Sequence, residues 1–284
     1  KKQQNTYMVL MDYLRRQKNL SMYPYYERIL GKTSGQQAQI LLTLSEYRLK
    51  NEKDIKSYFQ LLKGLDGYFD SLIEYSKEQV KRNLFLSDQS LKEVLQQIQN
   101  VIKQKENNML VATFNLRIAD IKGINAAQKK KYCRENKKLI GTKVLPAYEK
   151  LYSHLQALNG NGKNENGLYY YKNGKEYYKV LVAQKTGSDK TIEEMIEISD
   201  RSIEKCLRKL IKLQKKYPNI INEYRNHKKN IKIVQNPQNI LNKLRQKMVK
   251  YYPKAPKVSC KIKYVHKTME EYTSPAFYMV PEID

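Results

Sequence analysis

Apolar residues recur every three to four positions along most of this chain, and that period is satisfied by a helix with one buried face. The clearest case is Leu91, Val94, Leu95, Ile98, Val101 and Ile102, which form a single stripe on a helix over 88–104. Ser87 stands just before it, where a hydroxyl can accept from an otherwise orphaned backbone N–H. The same reasoning gives a helix over 1–20, with Tyr7, Leu10, Met11 and Leu14 on one side. A loop begins at Tyr23-Pro24-Tyr25-Tyr26, and a further helix opens at Ser34-Gly35. Residues 53–62 and 68–81 read as two helices separated by Gly64 and Gly67. A short helix follows over 108–121. Asn125 then caps a long helix reaching about Leu158, which Pro146 should kink or divide near Val144.

The run NGNGKNENG at 159–167 is polar and glycine-rich, a candidate boundary between a helical region 1–158 and a second region 159–284, the alternative being one continuous domain. Beyond it, 175–184 reads as helix. Thr191 with Glu194 has the capping-box form and starts a helix to Lys216, while Asn236-Pro237 starts a last one that ends by Tyr252-Pro253. The final thirty residues change period. VSCKIKYV alternates Val258, Cys260, Ile262 and Tyr264 against Ser259, Lys261, Lys263 and Val265, as a strand does, and AFYMV at 276–280 is a second strand candidate. The expected fold class is therefore mainly α: a multi-helix array with a small β-sheet at its C-terminal end.

The 284 residues carry 54 Lys+Arg against 28 Asp+Glu, a formal net charge of +26. Such a charge admits nucleic acid or anionic surfaces as partners. The bases are dispersed, however, and zinc-finger spacing and aromatic RNA-binding signatures are absent, so no specific nucleic-acid partner is expected. No apolar run is long enough to span a bilayer, and the N-terminus lacks the pattern of a signal peptide. Cys133, Cys206 and Cys260 are too scattered for a disulfide framework. His154, His227 and His266 lie outside any H-E-x-x-H, and nucleotide and nucleophile-elbow motifs are missing. Cofactors are therefore not expected within this chain. The 24 Tyr, against five Phe and no Trp, suit either half-buried core edges with a wet hydroxyl, stacked bases, or a peptide or sugar groove.

Several segments in order resemble one bacterial family, the domain of unknown function numbered 885. They are SGQQAQILLTLSEY (34–47), FLSDQS (85–90), VLPAYEKLYSHLQAL (144–158), GKNENGLYYYKNGKEYYKVLVAQKTGSDKTIEEM (162–195) and YVHKTMEEYTSPAFYMVPEID (264–284). The resemblance implies a zinc-metallopeptidase-like protein, often exported or lipid-anchored, so an extracytoplasmic or membrane-anchored location is expected, with a cytoplasmic one open. Its chemical signature, H-E-x-x-P-G-H, is expected beyond Asp284, so zinc belongs to the full-length family member and no catalytic or metal residue is assigned here. The implied role is the N-terminal helical portion of a peptide hydrolase, forming part of the substrate cleft. By analogy with the sheet that precedes the zinc helix in helical peptidases, Tyr264, His266, Ser274, Ala276 and Tyr278 are the candidate substrate-binding residues. A peptide is the expected partner, and self-association through the C-terminal edge strand is expected of the 284-residue form. The rival reading is a basic helical module that binds an anionic polymer, nucleic acid or cell-wall polymer.

Overall fold

The computed structural model describes residues 2–32, 34–162, 167–230 and 236–253, together with Ile262 and Tyr264. The chain divides into two compact units, and the division falls between Ser188 and Asp189. In the first unit the helices are α1 (Lys2–Leu20), α2 (Gln36–Glu46), α3 (Glu52–Lys81), α4 (Asp88–Lys103), α5 (Met109–Ala119), α6 (Ala126–Leu139), α7 (Leu145–Gln156) and α8 (Gly174–Thr186). The second contains α9 (Ile192–Lys216), α10 (Ile220–Asn230) and α11 (Pro237–Met248).

α3 is the spine of the first unit. Its buried residues Ile55, Tyr58, Phe59, Leu62, Leu65, Phe69, Leu72 and Ile73 repeat at three- and four-residue steps over the whole helix. α3 packs against α7, and α7 also packs against α4 through Leu91, Val94 and Ile98. α2 lies on α5, and α5 on α6. Each apolar side chain of this size withdrawn from water contributes about 1.5–3 kcal/mol, and the contributions accumulate along the spine.

The two glycines expected to separate a pair of helices do not do so: α3 is one helix of 30 residues. Gly64 and Gly67 lie on its exposed side, and a Cβ added to either would meet nothing within 4 Å. Each costs the helix only about 1 kcal/mol, far less than the apolar stripe running past them returns. The expected break at Pro146, in contrast, is real. α6 gives way to a π turn at Ile140–Val144, and the Leu145 N–H donates to the Ile140 carbonyl five residues back. Widening the turn accommodates a proline ring that would otherwise press on the carbonyl four residues before it.

Caps set the other ends. Asn51, Asn125 and Thr191 form reciprocal capping boxes, and Ser87 accepts from the Ser90 N–H; the last three stand where the sequence places helix starts. Inside the unit, the Gln37 amide donates to the Gly31 carbonyl and to Gln97 Oε1, both at 2.7 Å, and Gln97 donates to the Lys32 carbonyl at 3.1 Å. These bonds tie the 30–35 turn to α2 and α4 without leaving its carbonyls dry. Gly35 packs so tightly here that a Cβ would lie 2.3 Å from the Gly31 nitrogen.

The expected small C-terminal sheet is not seen. No strand occurs among the described residues, so the fold is all-helical there. Ile262 and Tyr264, on the face of the first candidate strand meant for burial, have irregular backbone, and Tyr264 is 79% exposed. Alternation alone makes one apolar face. A strand also requires a neighbour to pair its N–H and C=O groups, and no strand that could do so occurs among the described residues. The rest of 258–265, and all of 276–280, lie outside the described residues.

Because Gly64 and Gly67 are exposed, helical and unobstructed, Gly64→Ala and Gly67→Ala should each stabilise the protein by about 1 kcal/mol. Urea denaturation of the single and double variants checks this. A loss of stability would show that the helix is interrupted there.

Candidate functional site

The candidate substrate residues divide sharply. Tyr264 is exposed on irregular backbone, while His266, Ser274, Ala276 and Tyr278 lie outside the described residues. The edge strand on which self-association was expected is not present among the described residues. The remaining chemistry-bearing side chains fall into two groups.

The first is a tyrosine cluster. The turn after α1 carries Tyr23, Tyr25 and Tyr26 against Tyr75 of α3, Tyr177 of α8, and Tyr171, which precedes α8. Tyr26 and Tyr177 have ring centroids 4.9 Å apart, and Tyr25 and Tyr75 are 5.0 Å apart. The Arg82 guanidinium sits over the Tyr25 ring at 4.7 Å. The hydroxyls are used: Tyr26 donates to the Lys172 carbonyl, Tyr75 to the Glu27 carbonyl at 3.4 Å and Tyr171 to the Leu84 carbonyl at 3.0 Å. Gln79 adds bonds to the Tyr25 and Glu27 carbonyls at 2.8 and 3.0 Å. Burial raises the pKa of Tyr26, Tyr171 and Tyr177, and burial helped by the charge of Glu27 takes Tyr75 up to about 12. Phenols held neutral, with their protons already committed to carbonyls, are poor acids, bases or nucleophiles. This cluster fastens the 22–30 segment to α3 and α8.

Arg16 does similar work at the other end of α8, and sequence reasoning missed it. It is 6% exposed, pairs with Asp12 at 2.7 Å, and donates to the Ala183 and Ser188 carbonyls at 3.2 Å each. The guanidinium meets the partial negative charge at the end of α8. The only signal in the sequence is the Asp12–Arg16 spacing of four, which many exposed pairs share.

The second group is the basic face of α9. Arg201, Lys205, Arg208, Lys209 and Lys212, with Glu204, line a shallow open depression, and Arg208 pairs with Glu204 at 3.2 Å. All six belong to one helix with no buried residue, so the depression is a charged surface without a built wall. Metal ligation has no candidate: among the described residues no three His, Cys, Asp or Glu side chains come together to hold an ion. His154 and His227 are exposed, Cys206 is exposed, and burial raises the Cys133 thiol above its ordinary value. No described helix is long and apolar enough to cross a membrane.

The tyrosines make a pH prediction. Burial takes both Tyr58 and Tyr75 up to about 12 in the folded state. Folded pKa values above the unfolded value of about 10 mean stability that is present below pH 10 and lost as pH rises toward 12. Phenolate absorbance followed together with circular dichroism should show part of the tyrosines ionising only as helix is lost. Complete titration near pH 10 with the helices intact would contradict the packing described.

Comparison with known proteins bears on what such an array belongs to. No curated protein matches. A crystal structure described as that of "the putative lipoprotein from Colwellia psychrerythraea" matches with a TM-score of 0.58 at 18% identity, over 62% of this chain and 31% of that one. At that identity the likeness shows the helical fold alone, and the match takes in about a third of that protein's length. The family described as bacterial proteins of unknown function, DUF885, matches residues 1–284, and the chain belongs to that family.

Proposed function

We propose that residues 1–284 form a helical wall of a peptide cleft in a zinc-metallopeptidase-like protein, with peptide hydrolysis as the activity of the polypeptide that also carries H-E-x-x-P-G-H. The observation that supports this is the family match along the whole chain, together with a first unit in which α3, α4 and α7 form a rigid packed body. In this reading Tyr264, His266, Ser274, Ala276 and Tyr278 contact the peptide. An extracytoplasmic, lipid-anchored position goes with it, by analogy with the description of the Colwellia neighbour. The described residues do not fit a zinc site, so no chemical step is assigned to them. Their part is to hold a surface in place, because positioning a substrate accounts for a large share of a hydrolytic barrier.

A second reading, a basic module for an anionic polymer, is favoured by one observation: the row Arg201, Lys205, Arg208, Lys209 and Lys212 on α9. Such a row attracts polyanions through counterion release, with little sequence preference.

Two measurements decide between these readings. Residues 1–284 alone should bind well under one zinc per chain and hydrolyse no peptide. A family polypeptide in which these residues are joined to H-E-x-x-P-G-H should cleave peptides in a chelator-sensitive way, and Tyr278→Ala there should raise KM more than it lowers kcat. Hydrolysis by the short form with zinc, or none by the longer one, removes the first reading. If the first reading holds and the +26 charge is a dispersed solvated surface, binding to duplex DNA should be weak, sequence-independent and steeply reduced between about 50 and 200 mM salt. Tight binding that persists at the upper end of that range would instead favour the polymer-binding module.

A further inference from the structure

The apolar face of α9 carries a pattern that neither reading uses. Ile196, Ser199, Ile203, Cys206, Leu210 and Leu213 are spaced 3, 4, 3, 4 and 3 apart, the alternation of a coiled-coil seam. None is buried: Ile196 is 55% exposed, Ile203 57% and Leu210 56%. The one polar hydroxyl in the row, Ser199, is satisfied within the helix by the Met195 carbonyl at 2.9 Å, so the seam can close without stranding a donor. A stripe sustained at 3.5 residues per turn stays in line with a partner helix of the same period, whereas an isolated surface helix has no use for it.

The charges identify the partner. Residues 193–204 hold five acids, Glu193, Glu194, Glu197, Asp200 and Glu204, against the single base Arg201. Residues 205–216 hold six bases and no acid. The helix dipole explains only the outermost turns, Glu193 and Glu194 at the start and Lys215 and Lys216 at the end, because its effect fades within one turn. Acids and bases in the interior of α9 remain to be explained. A second α9 running antiparallel places each acidic half across from a basic half, and the seam then matches itself: position 196 meets 213, 199 meets 210 and 203 meets 206. A parallel pair would set six bases against six bases. An anionic lipid surface would be repelled by the acidic half, which shares the same apolar stripe.

We infer that α9 is a homodimerisation helix, pairing with α9 of a second copy of this chain in antiparallel register about a two-fold axis between Glu204 and Lys205. The contact is isologous, so it closes at two copies. It differs from a C-terminal strand edge and stands independently of the proposed function.

Sedimentation equilibrium of the whole 284-residue chain at about 150 mM salt, where screening limits repulsion between the +26 copies to short range, tests this. The expected result is a reversible dimer. Ile203→Lys and Leu210→Lys should each weaken it about ten-fold or more, while Ile198→Lys, on the opposite face, should leave it unchanged. None of these side chains is buried, so circular dichroism should show the helices retained in all three. Orientation is read in a background with Cys133, Cys206 and Cys260 replaced by Ser. Mixed Ile196→Cys and Leu213→Cys chains should form the 196–213 disulfide in preference to 196–196. A monomer at every concentration, a dimer insensitive to Ile203→Lys and Leu210→Lys, preferred 196–196 linkage, or a monomer that binds anionic vesicles through this face would each overturn the inference.

Discussion

Tyr148 is the point at which the first unit is held together. It is fully buried on α7, with its ring edge-on to Phe69 of α3 at 4.7 Å. Its hydroxyl donates to the Gln37 carbonyl on α2 at 2.7 Å. Three helices distant in sequence therefore meet through one side chain that is apolar at its body and polar at its tip. Gln37 in turn bonds the Gly31 carbonyl and Gln97, and Gln97 bonds the Lys32 carbonyl, so the same residue also fastens that turn and α4. Replacing the phenol by a smaller group would open a cavity and remove the bond that ties α7 to α2.

The same economy explains the tyrosine content. Apolar bodies with a donor at the end can close a helical array whose connecting segments expose carbonyls. Tyr26, Tyr75 and Tyr171 do so for the turn before α8, the 22–30 segment and the turn after α3. Of the uses the composition allows, this is the one the first unit displays. In the second unit, by contrast, α9 has no buried residue although it is strongly two-faced. An amphipathic helix gains most of its stability from what it packs against, so its partner must be sought outside its own surface.

Much of the helical array was legible in the sequence because caps and stripes are local. Ser87, Asn125, Thr191 and Asn236 mark helix starts through side-chain bonds to backbone two or three residues away, which require nothing from the rest of the fold. The candidate site was far less legible. Its residues were assigned by resemblance and by a two-residue period, and alternation says which side chains share a face without supplying a strand to pair with. α10, a basic and asparagine-rich stretch, carries only Ile220, Ile221 and Tyr224 as large apolar residues, a stripe too short to stand out in the sequence.

What the sequence by itself determined is the helical class, the positions of the caps, the proline-induced division near 144 and, from ordered motifs along the chain, the family. What only the tertiary structure decided is whether a weak local signal survives. Gly64 and Gly67 do not break α3, because the burial of Leu62, Leu65 and Phe69 beside them outweighs about 1 kcal/mol of propensity at each glycine. Arg16 is buried because α8 ends where its guanidinium can reach two carbonyls. Ile262 and Tyr264 have irregular backbone, and no strand occurs among the described residues to pair with them. Propensity and capping act over a few residues, whereas burial and pairing depend on what the rest of the chain brings alongside.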